Sequence, residues 1–248
     1  MDIVGNGFLA RQLRPLADRH PDTVALAAGV SRAGGATDAD FAREAALLRD
    51  TARRCAATGR RLLFFSTAAI GMYGSAGGPG REDEPVTPGT PYGAHKLALE
   101  RQLRDSGAEH LVLRLGHLVG PGQPAHQLLP TLVRQLRSGV VRIHRGATRD
   151  LIGVGDATTL VDLLLGLGLR AETVNVASGF DVPVEDVVDH LSRRLGLAAR
   201  REYQDTSAGR HVVSTEKLRR LVPRATTLGF GPGYYRRVLD EFAASAFA

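Results

Sequence analysis

The chain has 248 residues and a formal net charge of +6, but its arginines alternate with acidic residues and it contains no tryptophan, which argues against a nucleic-acid surface built on base stacking. No apolar run reaches the length of a membrane span, so no membrane partner is expected. A single cysteine, Cys55, excludes a disulfide framework and a cysteine-based metal cluster, and the histidines show no metal-ligand spacing, so no metal is expected.

The first predicted element is a short strand at Asp2–Val4, followed by a turn of the pattern G-x-G-x-x-A and a helix that extends to about His20. Because the strand begins next to Met1, no signal peptide is expected, and we predict a cytoplasmic protein. Glycines in such a turn let backbone amides approach a pyrophosphate at the helix N-terminus. The turn therefore predicts a dinucleotide site. Its predicted cofactor-binding residues are Gly5, Gly7, Phe8, Leu9 and Ala10.

The middle of the chain alternates between strand and helix patterns. Residues 23–31 predict one strand, and residues 60–67 predict a buried parallel strand that ends in the hydroxyls of Ser66 and Thr67. After a loop rich in glycine, proline and acidic residues, Thr90-Pro91 predicts the start of a helix over residues 92–104, and the strand His110–Leu115 follows. Polar groups at a strand end and on the next helix meet at the crevice where open α/β sheets bind ligands.

Tyr92 and Lys96 lie four residues apart on this predicted helix and therefore share one of its faces. The chain has only two lysines against thirty arginines, which indicates that a compact ammonium is needed at position 96. An ammonium beneath a phenol favours the phenolate, so we expect Lys96 to pull the pKa of Tyr92 down from about 10 toward neutrality. The pair predicts a general acid/base. The alternative is a solvated helix face, which the surrounding strand and helix pattern disfavours.

Beyond residue 120 the pattern predicts further helices and strands. The predicted segments are a helix over 127–138, a strand after Arg149-Asp150, a helix capped by Asp156 that runs to about Leu169, the helix Val184–Leu195 and the region 212–221. We therefore divide the chain into two parts. Residues 1–122 form a dinucleotide-binding core, and residues 123–248 combine the remaining core strands with a small C-terminal lobe.

Six ordered segments resemble landmarks of the extended short-chain dehydrogenase/reductase family of nucleotide-sugar epimerases, dehydratases and ketoreductases. They are residues 65–70, residues 82–85 with 90–96, residues 113–122, residues 149–156, residues 174–179 and residues 214–218. The resemblance implies an α/β fold with a Rossmann-like, doubly wound parallel sheet and a small C-terminal substrate lobe.

The resemblance leaves two assignments open for residues 23–31. The segment resembles the family's fourth strand, in which case the second and third strands are missing, but it also follows the first helix at the spacing of a second strand. Either way the dinucleotide-binding half is shortened. The acidic residue that usually ends the second strand and binds the adenosine ribose has no counterpart. Arg11, Arg14 and Arg32 are the nearby cations that would meet a 2′-phosphate, and of these Arg11 and Arg32 are predicted to bind the cofactor.

The resemblance also assigns roles to individual residues. The implied catalytic residues are Tyr92, Lys96, Thr67 and Ser66, of which Tyr92 and Lys96 also contact the cofactor. The implied substrate-binding residues are His117, Arg149 and Arg210, and His117 stands where relatives usually carry asparagine.

The reaction is inferred from two departures within the family. Ala68-Ala69 stand where the 4,6-dehydratases carry Asp-Glu, which disfavours dehydration, and a shortened adenosine side suits an exchanging cofactor better than the retained NAD of an epimerase. We expect NADPH-dependent reduction of a keto group on a nucleotide-linked 4-keto-6-deoxy sugar, with NAD as the second choice of cofactor and a homodimer as the assembly. The alternatives are an epimerase with tightly held NAD, a reductase of a non-sugar ketone and a non-catalytic nucleotide-binding protein.

Overall fold

The computed structural model describes residues 1–31, 34–69, 72–73, 78–205 and 213–245, and this part of the chain contains ten strands and eight α-helices. The strands are β1 Asp2–Val4, β2 Thr23–Leu26, β3 Arg61–Thr67, β4 His110–Leu115, β5 His117–Val119, β6 Val140–His144, β7 Thr148–Gly153, β8 Glu172–Val176, β9 Asp181–Pro183 and β10 Arg200–Gln204. The helices are α1 Phe8–Leu13, α2 Asp38–Thr58, α3 Pro91–Asp105, α4 Leu128–Arg137, α5 Val154–Gly166, α6 Val184–Leu195, α7 Glu216–Leu221 and α8 Tyr234–Ser245.

The central sheet is parallel and has the order β1-β2-β3-β4-β8. β2 lies between β1 and β3, since Ala25 is in register with Ile3 on one side and with Leu63 on the other. In a doubly wound sheet the usual strand order is 3-2-1-4-5-6, so the fourth strand lies between the first and the fifth. Residues 23–26 therefore hold the fourth-strand position, and their alternative assignment as the second strand is wrong. Among the described residues, β1 and β8 are the two edge strands of this sheet.

The two faces of the sheet carry different helices. One face packs against α1, the 3-10 segment Arg14–Arg19, α5 and α7, through residues such as Leu63 and Phe65. The other face packs against α2 and α3 through residues such as Leu62 and Phe64. This alternation follows from the two-residue period of a strand, and it makes β3 buried along nearly its whole length.

The connection from β1 to β2 differs in hand from the next two. All three steps, β1 to β2, β2 to β3 and β3 to β4, move in one direction across the sheet. The first passes through α1 on one face, whereas the second and third pass through α2 and α3 on the other. Two connections that step the same way on opposite faces have opposite hands, and right-handed crossovers are nearly universal. Because α2 and α3 agree with each other, we assign the exception to the short connection through α1.

Local sequence signals set the ends of the two helices that flank the site. Thr37 caps α2 by accepting a hydrogen bond from the Asp40 amide (3.2 Å), and the Asp40 carboxylate accepts one from the Thr37 amide (3.0 Å), which completes a capping box. Thr90 caps α3 by accepting a hydrogen bond from the Gly93 amide (3.1 Å), with Pro91 at the first helical position. The predicted start of α3 is therefore correct to within one residue.

A second apolar core lies in the C-terminal half, where α4, α6 and α8 pack around β6 and β7. The predicted cap at Asp156 is wrong. α5 begins at Val154 with Gly153 as its cap, and it ends at Gly166 rather than near Leu169. Asp156 lies in the first turn, where its carboxylate accepts hydrogen bonds from the Tyr234 hydroxyl (2.5 Å) and from Arg237 (2.8 Å). Its role is to hold α8 against the core. In the described part of the chain, no helix has both the length and the apolar character that crossing a bilayer requires.

The turn between β1 and α1 requires glycine at position 5. Gly5 has φ +131°, and a Cβ atom added there would lie 2.6 Å from the Ala27 carbonyl oxygen. Gly7 differs, because its φ is −72° and an added Cβ would meet no atom within 4 Å. Gly5 therefore allows the β1 turn to approach the end of β2, and Gly7 leaves the start of α1 open.

This contrast predicts different costs for two alanine substitutions. Gly5→Ala should lower the free energy of unfolding by about 2–3 kcal/mol, because it forces a side chain into a strained backbone region and against a backbone oxygen. Gly7→Ala should cost no more than about 1 kcal/mol, the order of a changed N-cap residue. Urea unfolding followed by circular dichroism measures both, and equal losses would contradict this account of the turn.

Candidate active site

A cavity of about 310 Å³ opens at the carboxyl ends of β2, β3 and β4. The structure brings together in its lining most of the residues that the sequence singled out. These are Gly7, Phe8 and Leu9 from the first turn, Ser66 and Thr67 from the end of β3, Tyr92 and Lys96 from α3, and His117 from β5. The crevice predicted from the strand and helix pattern is therefore present, and its walls come from both halves of the chain.

Other predicted residues lie outside the cavity lining. Gly5 lies against the backbone of Ala27, and Ala10 is buried. Arg11 is exposed and donates hydrogen bonds to the backbone carbonyls of Asn6 (3.0 Å) and Gly122 (3.4 Å). It thereby ties the turn to the loop after β5. Two further predicted residues, Arg32 and Arg210, lie outside the described residues.

Lys96 lies beneath Tyr92 as the helical spacing predicts, with its Nζ atom 5.7 Å from the centre of the phenol ring. Lys96 lowers the pKa of the phenol as expected, but the expected net shift is wrong in direction. Burial raises the pKa of Tyr92 above its ordinary value, the Lys96 ammonium acts against this, and the Glu44 carboxylate adds to the increase. Tyr92 is therefore a protonated phenol at neutral pH, which suits it to donate a proton.

Glu44 is the residue of the site that the sequence interpretation missed. It is 3% exposed, and its Oε1 atom lies 2.6 Å from Lys96 Nζ. Its Oε2 atom accepts a hydrogen bond from the Val30 amide (3.1 Å) and lies 3.0 Å from His95 Nε2. Burial alone would raise the pKa of Glu44, but Lys96 and these donors together hold it below its usual value. A buried ion pair thus lies at the floor of the cavity.

One signal for Glu44 was present in the sequence. The buried residues of α2 are Glu44, Leu48, Thr51, Ala52 and Cys55, whose spacing marks a single helix face. A glutamate within such a face is almost never buried without a partner. Position 44 therefore calls for a buried cation, and Lys96 is the one that tertiary packing supplies.

The two hydroxyls at the end of β3 have different surroundings. Ser66 donates a hydrogen bond to Glu100 Oε1 (2.5 Å), and Arg114 donates to Glu100 Oε2 (2.7 Å) in a buried ion pair. The proton of Ser66 is thus committed to this network. Thr67 accepts a hydrogen bond from the Ala69 amide (3.0 Å), and nothing in the described part of the chain accepts its proton. Thr67 is the hydroxyl with a proton available to a ligand.

On the substrate side, His117 begins β5 and is half-buried. Burial, reinforced by the charge of Arg149, lowers the pKa of His117 from 6.5 to about 4, so the imidazole is neutral at pH 7. Arg149 lies on β7, donates a hydrogen bond to the Thr148 carbonyl (2.7 Å) and is not part of the cavity lining. Burial lowers the pKa of Arg149 from its usual value. Of the two predicted substrate contacts that the structure describes, His117 lines the cavity and Arg149 does not.

The low pKa of His117 predicts a pH-dependent contribution to stability. Between pH 6.5 and about 4 the unfolded chain binds more protons at this residue than the folded one, so its contribution is lost as the pH falls through that window. The asparagine of relatives cannot titrate. We expect the stability of the wild type, measured by urea unfolding at pH 7, 6 and 5, to fall relative to that of His117→Asn.

Asp150 has the opposite pH dependence, because burial raises its pKa to about 6 against the hydrogen bonds that it accepts from Ser178 and Gly179. Since Asp150 is present in both proteins, its effect cancels in the difference between the wild type and His117→Asn. Parallel stability curves for the two proteins would show that His117 titrates normally in the folded state.

Comparison with known sequences gives a family. The sequence model described as the NAD dependent epimerase/dehydratase family matches residues 10–177, more than half of the chain. A dTDP-6-deoxy-L-talose 4-dehydrogenase (NAD(P)(+)) of Kitasatospora kifunensis is 29% identical over 55% of this chain and 47% of its own length. A UDP-glucose 4-epimerase of Azospirillum brasilense is 45% identical, over 24% of this chain and 18% of its own length. The chain thus spans about half or less of these relatives.

Comparison with solved structures supports the fold. The structure of RMD from Pseudomonas aeruginosa complexed with NADPH aligns with a TM-score of 0.79 at 19% identity, over 99% of this chain and 98% of that one. A UDP-galactose 4-epimerase aligns with a TM-score of 0.80 at 20% identity, over 100% and 99% of the two chains. The α/β fold with a Rossmann-like parallel sheet is therefore confirmed.

Proposed function

This chain belongs to the NAD dependent epimerase/dehydratase family, and from that premise we propose that it is a reductase of a keto group on a nucleotide-linked 4-keto-6-deoxy sugar. The observation that carries the proposal is the meeting of Thr67, Tyr92 and Lys96 in one cavity beside the glycine turn, with Tyr92 held as a protonated phenol. A reduction needs a proton donor at the carbonyl oxygen, and a phenol that is protonated at neutral pH can take that role.

The residues of the first turn fit a dinucleotide. The open backbone at Gly7, where an added Cβ would meet nothing within 4 Å, leaves the start of α1 accessible from the cavity. Two of the hydrogen-bond donors of Lys96 point at Glu44 Oε1 (2.6 Å) and the Phe65 carbonyl (3.5 Å), which leaves the third for a ligand in the cavity. Gly7 and Lys96 would therefore hold opposite ends of the nicotinamide half of the cofactor.

The chain's own residues would then complete the reaction. A reduced nicotinamide supplies the hydride that reaches the carbonyl carbon. Thr67 donates a hydrogen bond to the carbonyl oxygen and polarises it, and Tyr92 transfers its proton to that oxygen, so that the ketone gains one hydride and one proton to become an alcohol. We assign Ser66 a supporting role, because its hydroxyl is held by Glu100.

NADPH is the cofactor that we propose, with NADH as the second choice. The exposed Arg11 lies beside the turn, where a cation favours a 2′-phosphate. The dTDP-6-deoxy-L-talose 4-dehydrogenase among the relatives carries NAD(P)(+) in its name, and the RMD structure contains NADPH. The predicted homodimer and the predicted cytoplasmic location stay predictions.

A nucleotide-sugar 4-epimerase is the second candidate, favoured by the 45% identity to the Azospirillum brasilense enzyme over 65 residues. An epimerase oxidises and then reduces the same sugar, so it uses no net cofactor, whereas a reductase consumes one cofactor for each product. The same three residues serve both reactions. Cofactor accounting therefore separates the two candidates.

Substitutions at the site test the chemistry. Tyr92→Phe removes the transferable proton but keeps the ring, so kcat should fall by about 10²–10⁴-fold while the circular dichroism spectrum is unchanged. Lys96→Arg should be severely impaired as well, because a guanidinium fork does not fit the place of the buried ammonium. Turnover like that of the wild type in either variant would remove that residue from the mechanism.

The pair Thr67→Ala and Ser66→Ala gives a matched comparison at neighbouring positions. Thr67→Ala should lower kcat by about 10²-fold or more with little loss of stability, since it removes the polarising donor. Ser66→Ala should instead lower the free energy of unfolding by about 1–3 kcal/mol, because Glu100 loses a buried hydrogen bond. Turnover assays measure the first effect and urea unfolding the second. A loss of stability in Thr67→Ala and a loss of kcat in Ser66→Ala would exchange the roles of the two residues.

Cofactor accounting is the test of the reaction itself. The purified protein should be largely free of cofactor, and it should oxidise one NADPH for each molecule of 4-keto-6-deoxy sugar nucleotide reduced, with a lower kcat/KM for NADH. Bound NAD in the purified protein, together with interconversion of two sugars without net oxidation, would establish the epimerase instead.

A further inference from the structure

We propose that Glu44 is a positioning residue that fixes the Lys96 ammonium and, by pairing with it, weakens the attraction between that ammonium and a Tyr92 phenolate. The inference rests on the proposed function only for its consequence in turnover, because the titration of Tyr92 can be measured without any substrate. Glu44 acts through Lys96 and does not line the cavity itself.

The contacts of the pair show a built arrangement. Glu44 and Lys96 are each 3% exposed, and 2.6 Å separates their Oε1 and Nζ atoms. The second carboxylate oxygen is occupied by the Val30 amide and by His95. A buried ion pair needs hydrogen bonds at its remaining positions, and here those of the carboxylate are filled. The carboxylate thus holds the ammonium at one position beneath Tyr92.

Gly29, in the loop after β2, lies in close contact with this pair. A Cβ atom added at Gly29 would overlap Glu44 Oε1 and would come within 2.9 Å of Lys96 Nζ. The pair is therefore packed directly against the backbone of that loop. Because Glu44 Oε1 is the atom nearest to such a Cβ, a side chain at position 29 displaces the carboxylate before the ammonium, which provides a way to weaken the pair without removing a charge.

The electrostatic consequence concerns Tyr92. From α3 the charged group that acts on it is Lys96, and from α2 it is Glu44, whereas His95 of α3 contacts Glu44. The end of β3 contributes only hydroxyls, and β5 contributes His117, which is neutral at pH 7. An unpaired ammonium would favour the phenolate, but an ammonium paired at 2.6 Å has most of its field cancelled. Glu44 thereby makes loss of the phenol proton less favourable.

The experiment is a titration of Tyr92 by the near-ultraviolet absorbance of tyrosinate. The chain has five tyrosines and no tryptophan, so the difference between a protein and its Tyr92→Phe counterpart reports on Tyr92 alone. For Glu44→Gln, the reference protein is the double variant Glu44→Gln/Tyr92→Phe. We expect the pKa of Tyr92 in Glu44→Gln to be lower than in the wild type by about one unit or more. An unchanged pKa would overturn the proposal.

Two further variants keep the test decisive. Gly29→Ala should also lower the pKa of Tyr92, because it separates Glu44 from Lys96 while every charge remains, and it serves if Glu44→Gln does not fold. Asp50→Asn is the control, since Asp50 lies on the same helix but pairs with Arg53 at the exposed surface. A shift in Asp50→Asn equal to that in Glu44→Gln would mean that net charge alone is responsible, which contradicts the proposal.

The pH profile of kcat/KM links the pair to turnover. In Glu44→Gln its basic limb should move to lower pH by the same amount as the pKa of Tyr92, whereas a purely structural role would lower stability and leave the profile in place. If the wild type reduces no keto sugar but the titration still shifts, the proposed function fails and the role of Glu44 stands. If the wild type is active and neither the pKa of Tyr92 nor the pH profile shifts, the proposed function stands and the proposed role of Glu44 fails.

Discussion

The connections that follow β1 and β2 leave on opposite faces of the sheet, and the candidate active site depends on this divergence. A doubly wound sheet normally creates its ligand crevice where the strand order reverses. Here the order β1-β2-β3-β4 does not reverse, yet α1 and α2 still pack on different faces. The gap between them is therefore preserved, and it accommodates the cavity lined by the first turn, the end of β3 and α3. The unusual hand of the first connection is the structural cost of this arrangement.

The second organising feature is a line of polar residues along the buried face of α3. Tyr92, Lys96 and Glu100 follow at intervals of four residues, so they lie above one another on that face. Lys96 pairs with Glu44 of α2, and Glu100 pairs with Arg114 of β4. Each charge that α3 brings into the interior is thus matched by one from a different element. The two pairs fix the rotation of α3 relative to the sheet, and this rotation directs Tyr92 into the cavity.

Much of this arrangement follows from local sequence patterns, and the exceptions have identifiable causes. The bounds of β4 and α6 and the start of α3 could be predicted because apolar periodicity and capping residues mark them. Glu44 could not be matched with Lys96, since their contact depends on how two helices pack, which no local pattern encodes. The wrong direction for the pKa of Tyr92 has the same origin, because helical spacing reveals the ammonium but neither the burial nor the carboxylate. The cap at Asp156 failed because its carboxylate is taken by Tyr234 and Arg237 of a distant helix.

The position of β1 bears on how such a site would exchange its cofactor. The groups proposed to act on the carbonyl lie on β3 and α3, in the interior of the sheet, whereas the turn proposed for the pyrophosphate follows the strand at its edge. The nicotinamide end of a dinucleotide would therefore meet rigid, buried partners, and the adenosine end would extend past the edge of the sheet as described. Contacts to the nicotinamide end determine the chemistry, and contacts to the adenosine end determine how long the cofactor stays bound. A reductase must release its oxidised cofactor after every turnover, so a firm hold on the reacting half with a weak hold on the rest suits reduction better than epimerisation.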